Sequence, residues 1–358
     1  MAFLEFKNVR IAGISAGVPK NILSNLNPDS SDGISSDYSP EDFVKTTGVQ
    51  ERRVSDNLCT SDLCYYAAEK LISDLKWDKD EIEALIFISQ TADYILPCTS
   101  CILQERLGLS KECYATDGTL GCSGWVYGLS QVLSLLSNGT IKKALLLCGD
   151  AKKRAKGPRD PLFGQAGTAT AVEFSEGASG FKFHFGTDGS GYDAIITPDG
   201  GSRNQVSSES FKLEEIEGKM MHRMQTRMKG MDVFSFGITT APKSVKKLSE
   251  HFGFDYQEYD YLLLHQANMK MNNMIAKKLK FTADKVPSCM LHFGNTSSAS
   301  IPLTIVTELK DKCTDSKKLL CCGFGVGLSW GTVAFEAKDM VISELVEVED
   351  LKGDSQWV

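Results

Sequence analysis

Strand-length apolar runs alternate with helical patterns along almost the whole chain, and this alternation constrains the fold more than any other feature. VRIAGISAGV reads as a first strand. TSDLCYYAAEKLISDL has helical spacing, with Thr60 or Ser61 at its N-cap. EALIFISQT reads as a buried strand, SCILQERLGL as a helix and ECYATDG as a strand. GWVYGLSQVLSLLSNG follows as a helix stopped by Asn138-Gly139, and KKALLLCGD as another strand. The second half repeats this order. FGITTAPKSVKKLSEHFG is helical, and YDYLLLHQAN is a strand ending in polar residues. MKMNNMIAKKLKF and SSASIPLTIVTELKD are helices, and KKLLCCGFGVGLSWGTVAFEA reads as paired strands around a glycine-rich turn. The order is α/β and predicts largely parallel sheets covered by helices. It also predicts a duplication, with one half over 1–175 and the other over 226–338. A looser Gly-, Ser- and Asp-rich segment, 176–225, joins them, and an acidic tail follows at 339–358.

Composition excludes several classes. The chain has 358 residues, 42% apolar and 24% charged, as in a soluble globular protein. Its longest apolar runs are too short to span a bilayer. The start lacks a basic segment followed by a long apolar core, so a cytoplasmic enzyme is expected. Eleven scattered cysteines, several inside strand-like runs, fit a reducing compartment. CTSC at 98–101 has no second pair at zinc-binding distance, so no metal is expected. The net charge of −7 argues against a general nucleic-acid binder. Basic residues cluster at Lys152, Lys153, Arg154, Lys156 and Arg159, and again at Lys270, Lys277, Lys278 and Lys280. Each cluster reads as a solvated face or as a dock for an acidic partner.

Three segments carry chemistry. In GTLGCSGWVYGL, Cys122 follows a strand and opens an apolar helix. Unpaired N–H groups and the positive helix end there predict a thiol pKa lowered from about 8.5 toward neutrality. The bland alternative is a buried cysteine at a tight junction. His265 directly follows an apolar strand, where open α/β sheets place functional groups; a structural histidine is the alternative. Asn295, after Gly294, sits in a polar turn before another helix start, where turn chemistry alone explains an asparagine.

Together, GCSGWVYGL, HQAN at 265–268, GNTSSASIP at 294–302 and GFGVGLSWG at 323–331 resemble the β-ketoacyl-acyl-carrier-protein synthase III family of thiolase-fold condensing enzymes. TGVQERR at 47–53 and LPCTSCILQERLG at 96–108 extend the resemblance over roughly 8–336. It implies a thiolase-like fold whose duplicated α/β halves form a five-layered αβαβα core. It also implies the triad Cys122, His265 and Asn295. The thiolate would take an acyl group from a thioester. Malonyl-acyl-carrier protein would then lose carbon dioxide, and neutral His265 and Asn295 would donate hydrogen bonds to the enolate. Backbone N–H groups of Cys122 and Val326 would form an oxyanion hole. The resemblance further implies substrate contacts at Leu96, Phe163, Gly325, Asn268 and Lys270, and carrier docking at Lys277, Lys278 and Lys280. Acyl-carrier protein is the implied partner, thioesters the substrates, and no cofactor is required. A homodimer is implied, with the Leu96 loop crossing its interface, and so is a place in fatty-acid or secondary-metabolite assembly.

The match has departures. Asp42 and Thr46 stand where the family has a tryptophan and an arginine flanking the coenzyme A adenine, which weakens the case for a coenzyme A primer. Lys270 replaces an arginine, keeping the charge but losing its fork. Leu96 replaces an aromatic residue, which leaves room for a primer longer than acetyl. FGQAGTATA puts Gln165 where the family has an acidic residue. Competing readings are acyl transfer to an alcohol or amine with His265 as base, a thiolase using Cys322, and a silent carrier-binding subunit. Cys322 continues an apolar run and reads as strand interior.

Overall fold

The computed structural model describes residues 1–27, 39–152, 159–216, 219–313 and 315–350. Lys153, Arg154 and Lys156 of the first basic cluster, and tail residues 351–358, lie outside the described residues. The first half runs β1 (Ala2–Phe6), β2 (Val9–Pro19), α1 (Pro40–Thr47), α2 (Thr60–Leu75), β3 (Ala84–Ile88), α3 (Thr99–Arg106), β4 (Tyr114–Gly118), α4 (Gly124–Leu136), β5 (Lys143–Asp150) and β6 (Ala166–Phe174). The second runs β7 (Phe181–Thr187), α5 (Gly230–Phe252), β8 (Tyr261–Leu264), α6 (Met269–Leu279), α7 (Met290–Phe293), α8 (Ser300–Glu308), β9 (Lys317–Gly325), β10 (Ser329–Ala337), β11 (Val341–Ile342) and β12 (Val346–Val348). The N-cap of α2 lies one residue before the expected Thr60. Cys59 is the N-cap, and its N–H donates to Asp62 at 2.7 Å.

Two sheets stack in a five-layer αβαβα arrangement. The first has the order β11–β2–β6–β5–β3–β4, with β12 also paired to β2; the second has the order β1–β7–β10–β9–β8. Helices α2 and α3 cover the outer face of the first sheet, α4 and α8 lie between the sheets, and α5 covers the second. Strand periodicity sorts side chains between layers. Leu85, Phe87, Leu145 and Leu147 join the outer core under α2, whereas Ile86, Ile88, Leu146 and Cys148 face the central layer. Leu263, Leu319 and Cys321 likewise face inward, and Leu262, Leu264, Leu320 and Cys322 pack under α5. Cys322 is thus strand interior, with the Thr332 hydroxyl donating to its sulfur at 3.3 Å.

The halves correspond element by element. β2–β6–β5–β3 and β7–β10–β9–β8 are paired in the same way: two antiparallel pairings, then one parallel. The sheets are therefore mixed rather than largely parallel, because β6 and β10 each run antiparallel to the strand before them, β10 by a direct turn after Gly325.

Two expected boundaries shift. The segment 176–225, expected as a connector, contributes β7, which is central to the second sheet and also recruits β1 from the N-terminus. The acidic tail is structural up to Asp350: β11 and β12 add in parallel to β2. Arg53 binds Glu347 at 2.7 Å, Lys20 binds Glu349 at 2.5 Å, and the Ser55 hydroxyl donates to Asp350. These contacts join residues some 300 positions apart, so local periodicity carries no trace of them.

Candidate active site

The site lies where the carboxyl ends of both sets of parallel strands point. In the first sheet, β3 is parallel to β4 and β5, so the segments after Gly118 and at Asp150 leave the same edge. Cys122 lies between β4 and the start of α4, and Asp150 ends β5. In the second sheet, β8 and β9 are parallel, and His265 follows β8 directly. Its N–H donates to the Cys322 carbonyl at 2.9 Å, which extends the ladder by one rung. The duplicated helices α4 and α8 begin side by side. A Cβ on Gly124 would stand 3.1 Å from the Ser298 Cβ.

Cys122 is partly accessible. Backbone N–H groups of Val326 and of Cys122 itself face its thiol, where an oxyanion hole was expected. Gly325 presses against the thiol from the other side. A Cβ there would come within 2.8 Å of Sγ, so any side chain at 325 would occupy the nucleophile's own space. A cavity of about 220 Å³, lined by Gln90, Thr119, Leu120, Tyr127, Thr187 and Val326 among others, opens beside this point.

Ser297 links Asn295 to His265. Its N–H donates to Asn295 Oδ1 at 2.9 Å, and its carbonyl accepts from the Ser300 hydroxyl at 2.8 Å, whose oxygen lies 2.8 Å from His265 Nδ1. Ser297 holds a left-handed backbone, φ 52°, which turns these groups in different directions. Asn295 is held by its own backbone: its N–H donates to the Leu162 carbonyl at 2.9 Å, and its carbonyl accepts from Gly164 N–H at 3.1 Å. Because the Ser297 N–H must point at an oxygen, the Asn295 amide is oriented and its NH₂ remains as a donor.

The electrostatics reverse one expectation. The Cys122 thiol is pushed up to about 11, not down, first by burial and then by the Asp150 carboxylate. The backbone N–H groups of Val326 and Cys122 act in the opposite direction but do not outweigh burial. Asp150 Oδ1 accepts from Gln90 N–H at 2.8 Å and from the hydroxyls of Ser89 and Thr91, each at 3.2 Å; its own pKa is raised by burial. Asp150→Asn should therefore lower the pH at which Cys122 becomes a thiolate. Alkylation by iodoacetamide at pH 8 should run about threefold to tenfold faster. An unchanged or slower rate would remove Asp150 from the account. The His265 imidazole is pushed down to about 3 by burial, so the ring is neutral at physiological pH.

The other expected residues fare differently. Phe163 lies beside Asn295 through an isolated backbone bridge and is 40% exposed. Asn268 is the N-cap of α6, its side-chain oxygen accepting from Met271 N–H at 2.8 Å; that helix cap commits the group expected for substrate. Lys270, Lys277 and Lys280 are exposed along α6. Lys278 is exposed too, but its ammonium donates to the Ile238 carbonyl at 2.9 Å. That carbonyl lies four residues before Pro242, which has no N–H to give it, so Lys278 repairs a helix as well as carrying charge. Leu96 is 82% exposed in a loop with Tyr94 and Ile95 and does not line the cavity beside Val326. Asp42 and Thr46 lie on the exposed side of α1. No group of three metal-ligating side chains occurs among the described residues, and no helix there is long and apolar enough to cross a membrane.

Gln165 acquires a physical reason. Its Oε1 accepts from Ser55 N–H at 2.6 Å, while Nε2 donates to the Ser55 and Lys152 carbonyls at 3.0 and 3.1 Å. A carboxylate has no protons for two carbonyls, so an acidic residue does not fit this clamp. Ser297, Ser300 and Asp150 were not singled out from sequence. The one available signal was the position of Asp150 at a strand's carboxyl end, in LLLCGD.

Comparison with known proteins follows the same lines. Residues 116–189 match the family model described as 3-oxoacyl-[acyl-carrier-protein (ACP)] synthase III, and residues 249–337 match its C-terminal counterpart. A putative 3-oxoacyl-[acyl-carrier-protein] synthase 3 of Campylobacter jejuni is 31% identical over 352 residues, covering 96% of this chain and 98% of that protein. A β-ketoacyl-[acyl-carrier-protein] synthase III of Bacillus pumilus is 30% identical, covering 91% and 98%. Among solved structures, a 3-oxoacyl-(acyl-carrier protein) synthase from Burkholderia xenovorans superposes with a TM-score of 0.88 at 38% identity, covering 97% and 99%. An OleA structure from Xanthomonas campestris, 20% identical with a TM-score of 0.73 over 92% and 97%, shares the fold.

Proposed function

The chain belongs to the 3-oxoacyl-[acyl-carrier-protein] synthase III family, and from that premise we propose how its residues divide the work of an acyl-transferring condensing enzyme. Cys122 attacks an acyl thioester and holds the acyl group as a new thioester, expelling the donor's thiol. The N–H groups of Cys122 and Val326 stabilise the tetrahedral oxyanion. The acyl chain occupies the cavity beside Val326. Malonyl-acyl-carrier protein then loses carbon dioxide, and the Asn295 NH₂ donates to the enolate oxygen. The enolate carbon attacks the acyl group and frees Cys122. Side chains and thioesters suffice, without a cofactor. The observation that carries this reading is that the 297–300 turn holds Asn295 through the Ser297 N–H and meets His265 at the Ser300 hydroxyl, beside the Cys122 thiol.

Two surfaces complete the proposal. The exposed lysines Lys270, Lys277 and Lys280 dock an acidic carrier protein in the cytoplasm. The exposed Tyr94, Ile95 and Leu96 meet a second copy of the chain. The test of the reaction uses malonyl-carrier protein labelled at its free carboxyl, together with acyl-carrier or acyl-coenzyme A thioesters. Release of one labelled carbon dioxide per 3-oxoacyl thioester formed supports condensation. Transfer of the acyl group to an alcohol or amine with the malonyl group intact would replace it by the second acyltransferase reading.

A further inference from the structure

The cavity beside Cys122 is lined in a way that a plain alkyl chain does not need. Leu120 and Val326 are the aliphatic side chains of its lining, and an amide and four hydroxyls stand with them. Most of the hydroxyls are already engaged. Tyr127 donates to the Gly186 carbonyl at 3.1 Å and lies 3.4 Å from the Thr187 hydroxyl, and Ser329 donates to the Val326 carbonyl at 2.9 Å. The Gln90 amide and the Thr119 hydroxyl differ: neither has a hydrogen-bond partner among the described residues.

The fold puts these two side chains together and beside the nucleophile. β3 and β4 run parallel with Ile88 opposite Gly118, and the Ser89 N–H donates to the Gly118 carbonyl at 3.1 Å. Gln90 and Thr119 therefore leave the same sheet edge from neighbouring strands. Gln90 is also pinned, since its N–H donates to Asp150 Oδ1 at 2.8 Å. A Cβ on Gly121, the residue before Cys122, would collide with the Gln90 amide and stand 2.9 Å from Val326 Cγ1. The amide thus lies at the Cys122 end of the cavity.

We propose that the cavity selects a short acyl group bearing a neutral hydroxyl close to its thioester carbonyl, held by the Gln90 amide and the Thr119 hydroxyl. This rests on the acyl loading of Cys122 proposed above and names the class of primer. An amide offers both a donor and an acceptor, and so does a hydroxyl, so either side chain can meet a primer O–H in one of two senses. A charged substituent fits less well, because no lysine, arginine or carboxylate lines the cavity among the described residues. An alkyl primer would take water from both groups and return no hydrogen bond. Size agrees. A volume of about 220 Å³ holds about seven groups of water's size at about 30 Å³ each, which is room for about four or five carbons and a hydroxyl.

The test compares acyl loading of Cys122 from matched donors, read by intact-protein mass spectrometry. Butanoyl thioesters of coenzyme A and of carrier protein are set against the 2-hydroxybutanoyl and 3-hydroxybutanoyl thioesters, each enantiomer separately. Every rate is divided by that donor's rate with free N-acetylcysteine, which removes its intrinsic reactivity. At least one hydroxylated donor should load about tenfold faster than butanoyl. The factor is modest because Gln90 and Thr119 are exposed and can hold water in the free cavity. Gln90→Leu and Thr119→Val should each cut that advantage by about threefold or more, and Gln90→Leu should speed butanoyl loading. A wild type that loads butanoyl as fast as every hydroxylated donor would overturn the proposal, and this comparison needs no variant to fold. An advantage that survives both substitutions would overturn the assignment to Gln90 and Thr119. A wild type that loads neither kind of donor would sink the acyl-enzyme reading itself, and the primer class with it.

Discussion

Cys122→Ala is expected to abolish condensation, with turnover falling by about 10⁴-fold or more. The size follows from the site. Cys122 is the residue whose sulfur lies between the Val326 N–H, its own N–H and the Ser297 hydroxyl. The absence of a side chain at Gly325 leaves room for that sulfur. The cysteines on neighbouring strands cannot substitute. Cys148 and Cys321 are buried in the central layer and Cys322 lies under α5. Burial drives the thiol pKa of all three up as well. Alanine removes only the sulfur at a helix start, so the fold should survive; an unchanged melting temperature makes the kinetic loss interpretable. Retention of more than a few percent of turnover would mean that the acyl group never rests on Cys122.

Asn295→Ala should produce the second-largest loss and a different pattern. Removing one donor from a developing oxyanion costs about 2.7–4 kcal/mol, or about 10²–10³ in rate. The loss should fall on malonyl decarboxylation, while acyl loading of Cys122 stays near wild type, because Asn295 donates to the second substrate. The control is structural. Asn295 Oδ1 accepts from the Ser297 N–H, so its loss also frees the residue whose carbonyl holds the Ser300 hydroxyl beside His265. Asn295→Asp separates the two effects: it keeps an acceptor for that N–H and removes the NH₂. If the aspartate variant decarboxylates at the wild-type rate, the NH₂ has no catalytic part. If both variants lose acyl loading as well, Asn295 is a scaffold.

The two variants draw on residues that were legible in sequence for a physical reason. Cys122, His265 and Asn295 each lie at a strand end or a helix start, where the change of period is visible locally. The layers were legible for the same reason, since Leu85 and Ile86 alternate as a strand between two cores must. What escaped depends on contacts between distant residues. Serines at 297 and 300 look like any helix-start serines until the His265 ring is placed against them. The sign of the Cys122 shift was misread because the helix start lies in the local sequence, whereas the burial that dominates it, and then Asp150, come from other parts of the fold. β1 pairs with β7 across about 180 residues, and the tail pairs with β2 across more than 300, so the connector and the appendage could not be told from structural strands. Asn268 and Lys278 each have a second role that the sequence did not show. Their residue types suited substrate and carrier, but one caps α6 and the other serves the carbonyl freed by Pro242.

The central claim is a covalent acyl group on Cys122 that malonyl-acyl-carrier protein discharges, and one measurement reaches it. Intact-protein mass spectrometry would follow the chain after incubation with acyl-carrier and acyl-coenzyme A thioesters of increasing chain length, and then after a chase with malonyl-carrier protein. The account predicts a mass gain of one acyl group for the wild type, none for Cys122→Ala, and return to the starting mass during the chase as carbon dioxide and a 3-oxoacyl thioester appear. An adduct that persists in Cys122→Ala, or one on Cys122 that the chase leaves in place while an alcohol or amine removes it, would contradict the claim.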